Sequence, residues 1–237
     1  RYCVDENFRQ RLLSIVENSS KQIRLKLEYD DVAKYHSLFV VNPVYINCDI
    51  QSYDRPSHPQ IPQVVKEISV DYSFEVIDEV DLSSFQTAET VKLYGCSGIT
   101  DISPLRECPR LEIDSCINIQ DFSSLGKQKH LFIYSNEYLR SVINFRSIQC
   151  LIIEDCMNLE DVSPLHGIPD LSLYFCPKIR DISCLGNHKQ LCITNCSYEL
   201  NGYECLKTIP KVSLQCCDIS DLTVLSAARY VYLNDCK

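Results

Sequence analysis

LEIDSCINIQDFSSLGKQKH, residues 111–130, is one of six near-copies that begin at Val91, Leu111, Leu131, Leu151, Leu171 and Leu191, each 20 residues after the last. A fixed step of this length is the signature of a solenoid, in which each copy is one winding that buries its apolar side only by stacking on its neighbours. Numbering each copy from its first residue, apolar side chains recur at positions 1, 3, 9, 12 and 15, as Leu111, Ile113, Ile119, Phe122 and Leu125 show. Positions 1 and 3 alternate as a short strand does, one side chain in and the next out. Position 6 is Cys96, Cys116, Asn136, Cys156, Cys176 and Cys196, followed by Cys217 and Cys236, a column expected to point inward where each strand ends.

The pattern extends from this core in both directions. Towards the N-terminus it passes through Leu25-Lys-Leu27, Val44-Tyr-Ile46 and Ile68-Ser-Val70 at uneven steps, and towards the C-terminus through Val212-Ser-Leu214 and Val231-Tyr-Leu233. The expected fold is therefore one curved parallel β-sheet of about eleven short strands. A unit this short leaves no room for a full helix, so the convex side should hold 3-10 turns and extended chain. Residues 4–18 carry Phe8, Leu12 and Ile15 at helical spacing behind a candidate N-cap, Asp5, so a capping α-helix is expected within residues 1–22. Residues 23–90 then form irregular repeats with a proline-rich loop at 51–63, and 91–237 the regular ones, all in one continuous solenoid. The last residues follow directly on a strand. A cap, a further domain or another chain is expected to cover that edge.

LEIDSC, LFIYSN and LIIEDC match the core of the leucine-rich-repeat family, which this chain resembles. The resemblance implies a horseshoe or arc. Cysteine at position 6 followed by Ile-Thr-Asp, as in CSGITD, is similar to the cysteine-containing repeats beside F-boxes in ubiquitin-ligase adaptors. The ends Asp-Ile-Ser-Pro-Leu and Asp-Val-Ser-Pro-Leu look like repeats of the short internalin type and the phosphatase-regulator type. Three functions follow from these likenesses: an intracellular interaction module, with substrate receptor in ubiquitin ligation as its narrowest form; a secreted or surface adhesion or effector protein; and a regulatory subunit docking on an enzyme.

The 237 residues are 45% hydrophobic and 23% charged, an ordinary globular composition without a membrane-spanning run. A net charge of −9 opposes nucleic acid or anionic lipid as partner. Fifteen cysteines cannot all pair within one chain, and the position-6 column gives the thiols a packing role, so reduced cysteines in the cytoplasm or nucleus are expected.

No catalytic or cofactor motif emerges. A second column, Asp101, Asp121, Asp161, Asp181 and Asp221, supplies one carboxylate per winding, which suits an Asx turn better than calcium. Cys184, His188, Cys192 and Cys196 lie close in sequence without metal-ligand spacing. The chain is read as non-enzymatic, with no cofactor or metal.

Positions 2, 4 and 5 should face the concave side. At the centre they gather Phe132, Tyr134, Ile152, Tyr174 and Phe175, with Glu112, Asp114, Glu154 and Asp155 in or beside them. Aromatic anchors ringed by charge form interface hot spots, so this patch is expected to grip a protein or peptide carrying apolar and basic side chains.

Overall fold

The computed structural model describes residues 24–28, 45–51, 65–72, 80–197 and 199–236. The helix expected at 4–18 and the proline-rich loop after residue 51 fall outside them. Eleven strands follow in order: β1 Arg24–Glu28, β2 Tyr45–Gln51, β3 Val65–Asp71, β4 Thr90–Tyr94, β5 Arg110–Asp114, β6 His130–Tyr134, β7 Cys150–Glu154, β8 Asp170–Tyr174, β9 Gln190–Thr194, β10 Lys211–Gln215 and β11 Tyr230–Asn234. They form one sheet in sequence order, each strand parallel to the next. This is a repeat solenoid, the architecture that the leucine-rich-repeat resemblance implies.

The constant step keeps like positions in register: Leu111 pairs with Leu131, Leu131 with Leu151, and Leu151 with Leu171. Every inward residue therefore meets its own counterpart above and below. From Val91 to Leu185 the side chains at positions 1, 3, 9, 12 and 15 are buried without exception. Each such Leu or Ile contributes about 1.5–3 kcal/mol relative to an exposed one.

The return path is short. Ser83–Phe85, Ser103–Leu105, Phe145–Ser147, Ser163–Leu165, Tyr203–Thr208 and Leu222–Leu225 are 3-10 segments. Pro104 and Pro164 lie in the first turn of theirs, where a fixed φ fits and no N–H is missed.

Three features of the fold go beyond or against the sequence reading. On β2 the pair Val44/Ile46 is displaced by two residues: Leu25 pairs with Ile46 and Leu27 with Cys48. A bulge between Ile46 and Asn47 then shifts β2 against β3, so that Cys48 meets Ile68. Two branched apolar residues at 44 and 46 looked like a rung, but pairing with both neighbours decides the register. Secondly, position 18 is a further inward column, comprising Ala88, Cys108, Gln128, Ile148, Ile168 and His188. Gln128 and His188 hide it, because a buried polar side chain breaks an apolar pattern while still filling its place. Gln128 donates from Nε2 to the carbonyls of Leu105 at 3.2 Å and Arg106 at 3.0 Å. Thirdly, position 5 is not part of the sheet face, as described below.

At β11 the interior is open. Val231 and Leu233 pair with the buried Val212 and Leu214, yet they are 46% and 38% exposed.

Candidate functional site: the concave face of β4 to β8

The sheet face is set by what happens at position 6. There the thiols of Cys96, Cys116, Cys196, Cys217 and Cys236 each reach two carbonyls, one two residues earlier and one on the preceding winding. Cys116, for example, donates to the Asp114 carbonyl at 3.4 Å and the Leu93 carbonyl at 3.6 Å. The column is inward, as the sequence implies, and its cysteines are unbridged among the described residues. Burial pushes the thiols of Cys156, Cys176, Cys196 and Cys217 up to about 12.

Turning the position-6 side chain into the core requires a sharp bend just before it. Position 5 makes that bend in every regular repeat, with a left-handed backbone at Gly95, Ser115, Ser135, Asp155, Phe175, Asn195, Cys216 and Asp235, φ between 48° and 61°. The strands accordingly end at position 4. Phe175 and Asp155 thus belong to the rim of the sheet, not to its face. The run of Gly, Ser, Asp and Asn at this position was the signal for a left-handed turn. Phe175 is the departure: a bulky side chain in a conformation that costs it about 1–2 kcal/mol, and 45% exposed.

On the face itself, position 4 alternates along adjacent strands: Tyr94, Asp114, Tyr134, Glu154, Tyr174. All five are half-buried. The Tyr94 hydroxyl donates to Glu112 Oε1 at 3.0 Å. Burial, and then that bond and the charges of Glu112 and Asp114, hold the Tyr94 hydroxyl far above its ordinary range. Tyr134 is pushed up to about 12 by burial and then by Glu112, Glu154 and Asp114. Tyr174 is raised by burial and by its bond with Cys192. These tyrosines are neutral donors embedded in negative potential.

Position 2 differs from expectation at its centre. Phe132 points to the concave side, opposite Glu112 and Ile152, but is only 6% exposed. The Arg110 guanidinium lies over its ring, 4.6 Å from the centroid, and the His130 ring is 6.5 Å away. Arg110 and His130 occupy position 20, which shares the face of positions 2 and 4 by strand alternation. They cover the phenylalanine, so the accessible aromatic surface is that of the tyrosines. Ile152 and Ser172 remain half-open beside them.

The cations are committed elsewhere. Lys92 holds Glu67 at 3.0 Å, and Arg110 covers Phe132. Asp114 accepts the Ser115 hydroxyl at 2.8 Å, while neither Asp114 nor Glu154 makes an ion pair with any described residue.

The aspartate column is structural. Asp101, Asp121, Asp161 and Asp181 each accept the N–H of the serine two residues on at 2.8 Å, and Asp221 that of Thr223 at 2.9 Å. The serine or threonine hydroxyl and N–H keep Asp121, Asp161 and Asp221 below the usual carboxylate range, and the same groups, N–H first, do so for Asp181. Among the described residues no group of three or more His, Cys, Asp or Glu could hold a metal ion. Cys196 lies in the interior column, His188 in the position-18 column, and Cys192 on the concave side. No helix among the described residues is long and apolar enough to cross a membrane.

No family model matches the chain, and no curated protein matches it. Among solved structures it is similar to an internalin from Listeria monocytogenes str. 4b F2365, with 15% sequence identity and a TM-score of 0.43 over 81% of this chain and 74% of that one.

Proposed function

We propose that this protein is a non-enzymatic interaction module that binds a protein or peptide across the concave centre of its sheet. One observation carries the reading: on β5 to β8, Tyr134 and Tyr174 stay accessible beside Asp114 and Glu154, carboxylates with no described cation. Aromatic surface with a polar hydroxyl end and uncompensated charge is the composition of binding hot spots. The patch of interest narrows from the sequence expectation, because Phe132 is covered and Phe175 and Asp155 border the face from the rim.

The interior thiols, each donating to a carbonyl, support a reducing compartment, cytoplasmic or nuclear. Those same bonds account for the cysteine column by packing, so the ubiquitin-ligase reading draws no extra support from it.

The test is affinity capture with purified protein, comparing wild type with Tyr134→Ala/Tyr174→Ala and with a convex-side control, Ile143→Ala. Loss of a captured partner only with the tyrosine pair, at unchanged circular dichroism, supports the assignment. Retention of every partner by that variant refutes it.

A further inference from the structure

Building on the reading of the concave face as a binding surface, we infer that its partner is an extended, proline-supported segment lying across the strands, with a basic residue at every third position. Spacing and charge both lead there. Neighbouring parallel strands are about 4.8 Å apart, so carboxylates on alternate strands recur at about 9.6 Å. Asp114 on β5 and Glu154 on β7 have this relationship, with Tyr134 on the strand between them and Tyr174 just beyond.

A polyproline II chain has three residues per turn and rises about 3.1 Å per residue, so every third side chain lies on one face about 9.3 Å from the last. A basic residue seated on Asp114 therefore places its successor three residues later on Glu154. The two intervening residues pass over Tyr134, where proline rings suit an aromatic platform. A helix would present successive turns every 5.4 Å, and a strand would put same-face side chains about 6.7 Å apart; neither matches two strands of this sheet.

Charge complementarity fixes the sign of the occupant. From β5 to β8 the face carries Glu112, Asp114, Glu154 and Asp170 against the single guanidinium of Arg110, which is already engaged with Phe132. A lysine or arginine entering between Tyr134 and Tyr174 meets the Glu154 carboxylate with a ring on either side, adding cation–π attraction to the ion pair.

The experiment uses two labelled synthetic peptides of equal composition, one repeating Pro-Pro-Arg and one with its arginines contiguous, titrated into the full chain by fluorescence anisotropy at two salt concentrations. The spaced peptide should bind at least about tenfold more tightly. Glu154→Gln should weaken it about fivefold and Tyr134→Ala about tenfold, while Tyr134→Phe, which keeps the ring, stays within about twofold of wild type. Equal affinity for the two isomers overturns the inference, since unpatterned charge attraction would then suffice. So does failure of both to bind. Because partner capture is tested separately by the tyrosine pair, failure here leaves the binding-face assignment standing, and that assignment falls only on the capture result.

Discussion

Asn136 reaches back one winding and donates from Nδ2 to the Cys116 carbonyl at 3.3 Å, from the place where its neighbours carry a thiol. It also donates to the Ile119 carbonyl at 3.2 Å and accepts the N–H groups of Tyr138 at 2.8 Å and Leu139 at 2.9 Å. One amide thus closes a turn that a cysteine closes with fewer and weaker bonds. Asn136→Ala leaves buried backbone groups unpaired and should lower stability by about 3 kcal/mol, against about 1 kcal/mol for Asn136→Cys, which the column already accommodates. Urea unfolding separates them. Equal losses would mean that the amide contributes packing alone.

The thiol column makes the protein sensitive to alkali. An unfolded cysteine ionises near 9.0, whereas Cys156, Cys176, Cys196 and Cys217 are held near 12 by burial. Between these values the unfolded chain sheds protons that the folded one keeps, so stability present below pH 9 is lost as pH rises towards 12. Melting temperature measured from pH 7.5 to 10.5 should fall, and Cys156→Ala should flatten the slope. An unaltered slope would place the alkaline loss elsewhere.

His188 acts at the other end of the scale. Burial lowers its pKa below the ordinary 6.5, opposed by a bond from Nδ1 to the Ile168 carbonyl, and its Nε2 has no partner among the described residues. The unfolded chain takes up this proton first on acidification, so stability present above about pH 6.5 declines below it. His188→Gln, which repeats the residue found at Gln128 in the same column, should retain stability at pH 7.5 and show a smaller drop at pH 5. Equal drops in both proteins would clear His188 of the effect.

Two glycines with positive φ should respond differently to alanine. At Gly126, φ 133°, an added Cβ would lie 2.0 Å from the Asn144 carbonyl oxygen, so the neighbouring winding must move. At Gly167, φ 77°, nothing stands within 4 Å and only the local strain of about 1–2 kcal/mol applies. Gly126→Ala should therefore cost at least about 2 kcal/mol more in urea unfolding, a difference that vanishes if the backbone there is free to shift.

Phe175 is maintained against its own backbone preference. Phe175→Asn relieves the left-handed strain and should raise stability by about 1 kcal/mol, read as a small upward shift in melting temperature. If the ring also meets the partner from the rim, the same variant binds less tightly; a loss of stability instead would reveal packing that offsets the strain.

Much of the molecule is legible in its residues alone. The inward columns at positions 1, 3, 6, 9, 12 and 15 follow from a repeat that keeps its 20-residue step from Val91 to Leu191, since a residue in register with its own kind has the same surroundings each time. Asp101 and its equivalents are readable as turn residues because a carboxylate two residues before serine has one common local use. Position 18 is not, because Gln128 and His188 are polar and nothing local announces that the preceding winding supplies their acceptors. Position 5 carries its signal in Gly95, Asn195 and the aspartates, but Phe175 sits among them and reads as a face residue until the φ angles are known.

The winding, the parallel order of the strands, and the side of the sheet to which each strand residue turns all follow from the order of residues. These depend on short-range geometry: a side chain alternates with its neighbours whatever lies around it. Which outward side chains remain available was settled by the folded arrangement instead. Phe132 is covered by Arg110, from the neighbouring strand, and the Tyr94 hydroxyl is bound to Glu112 on the next winding. Exposure is a property of residues brought together from about 20 positions away, so a pattern read along one chain gives the direction of a side chain but not its company.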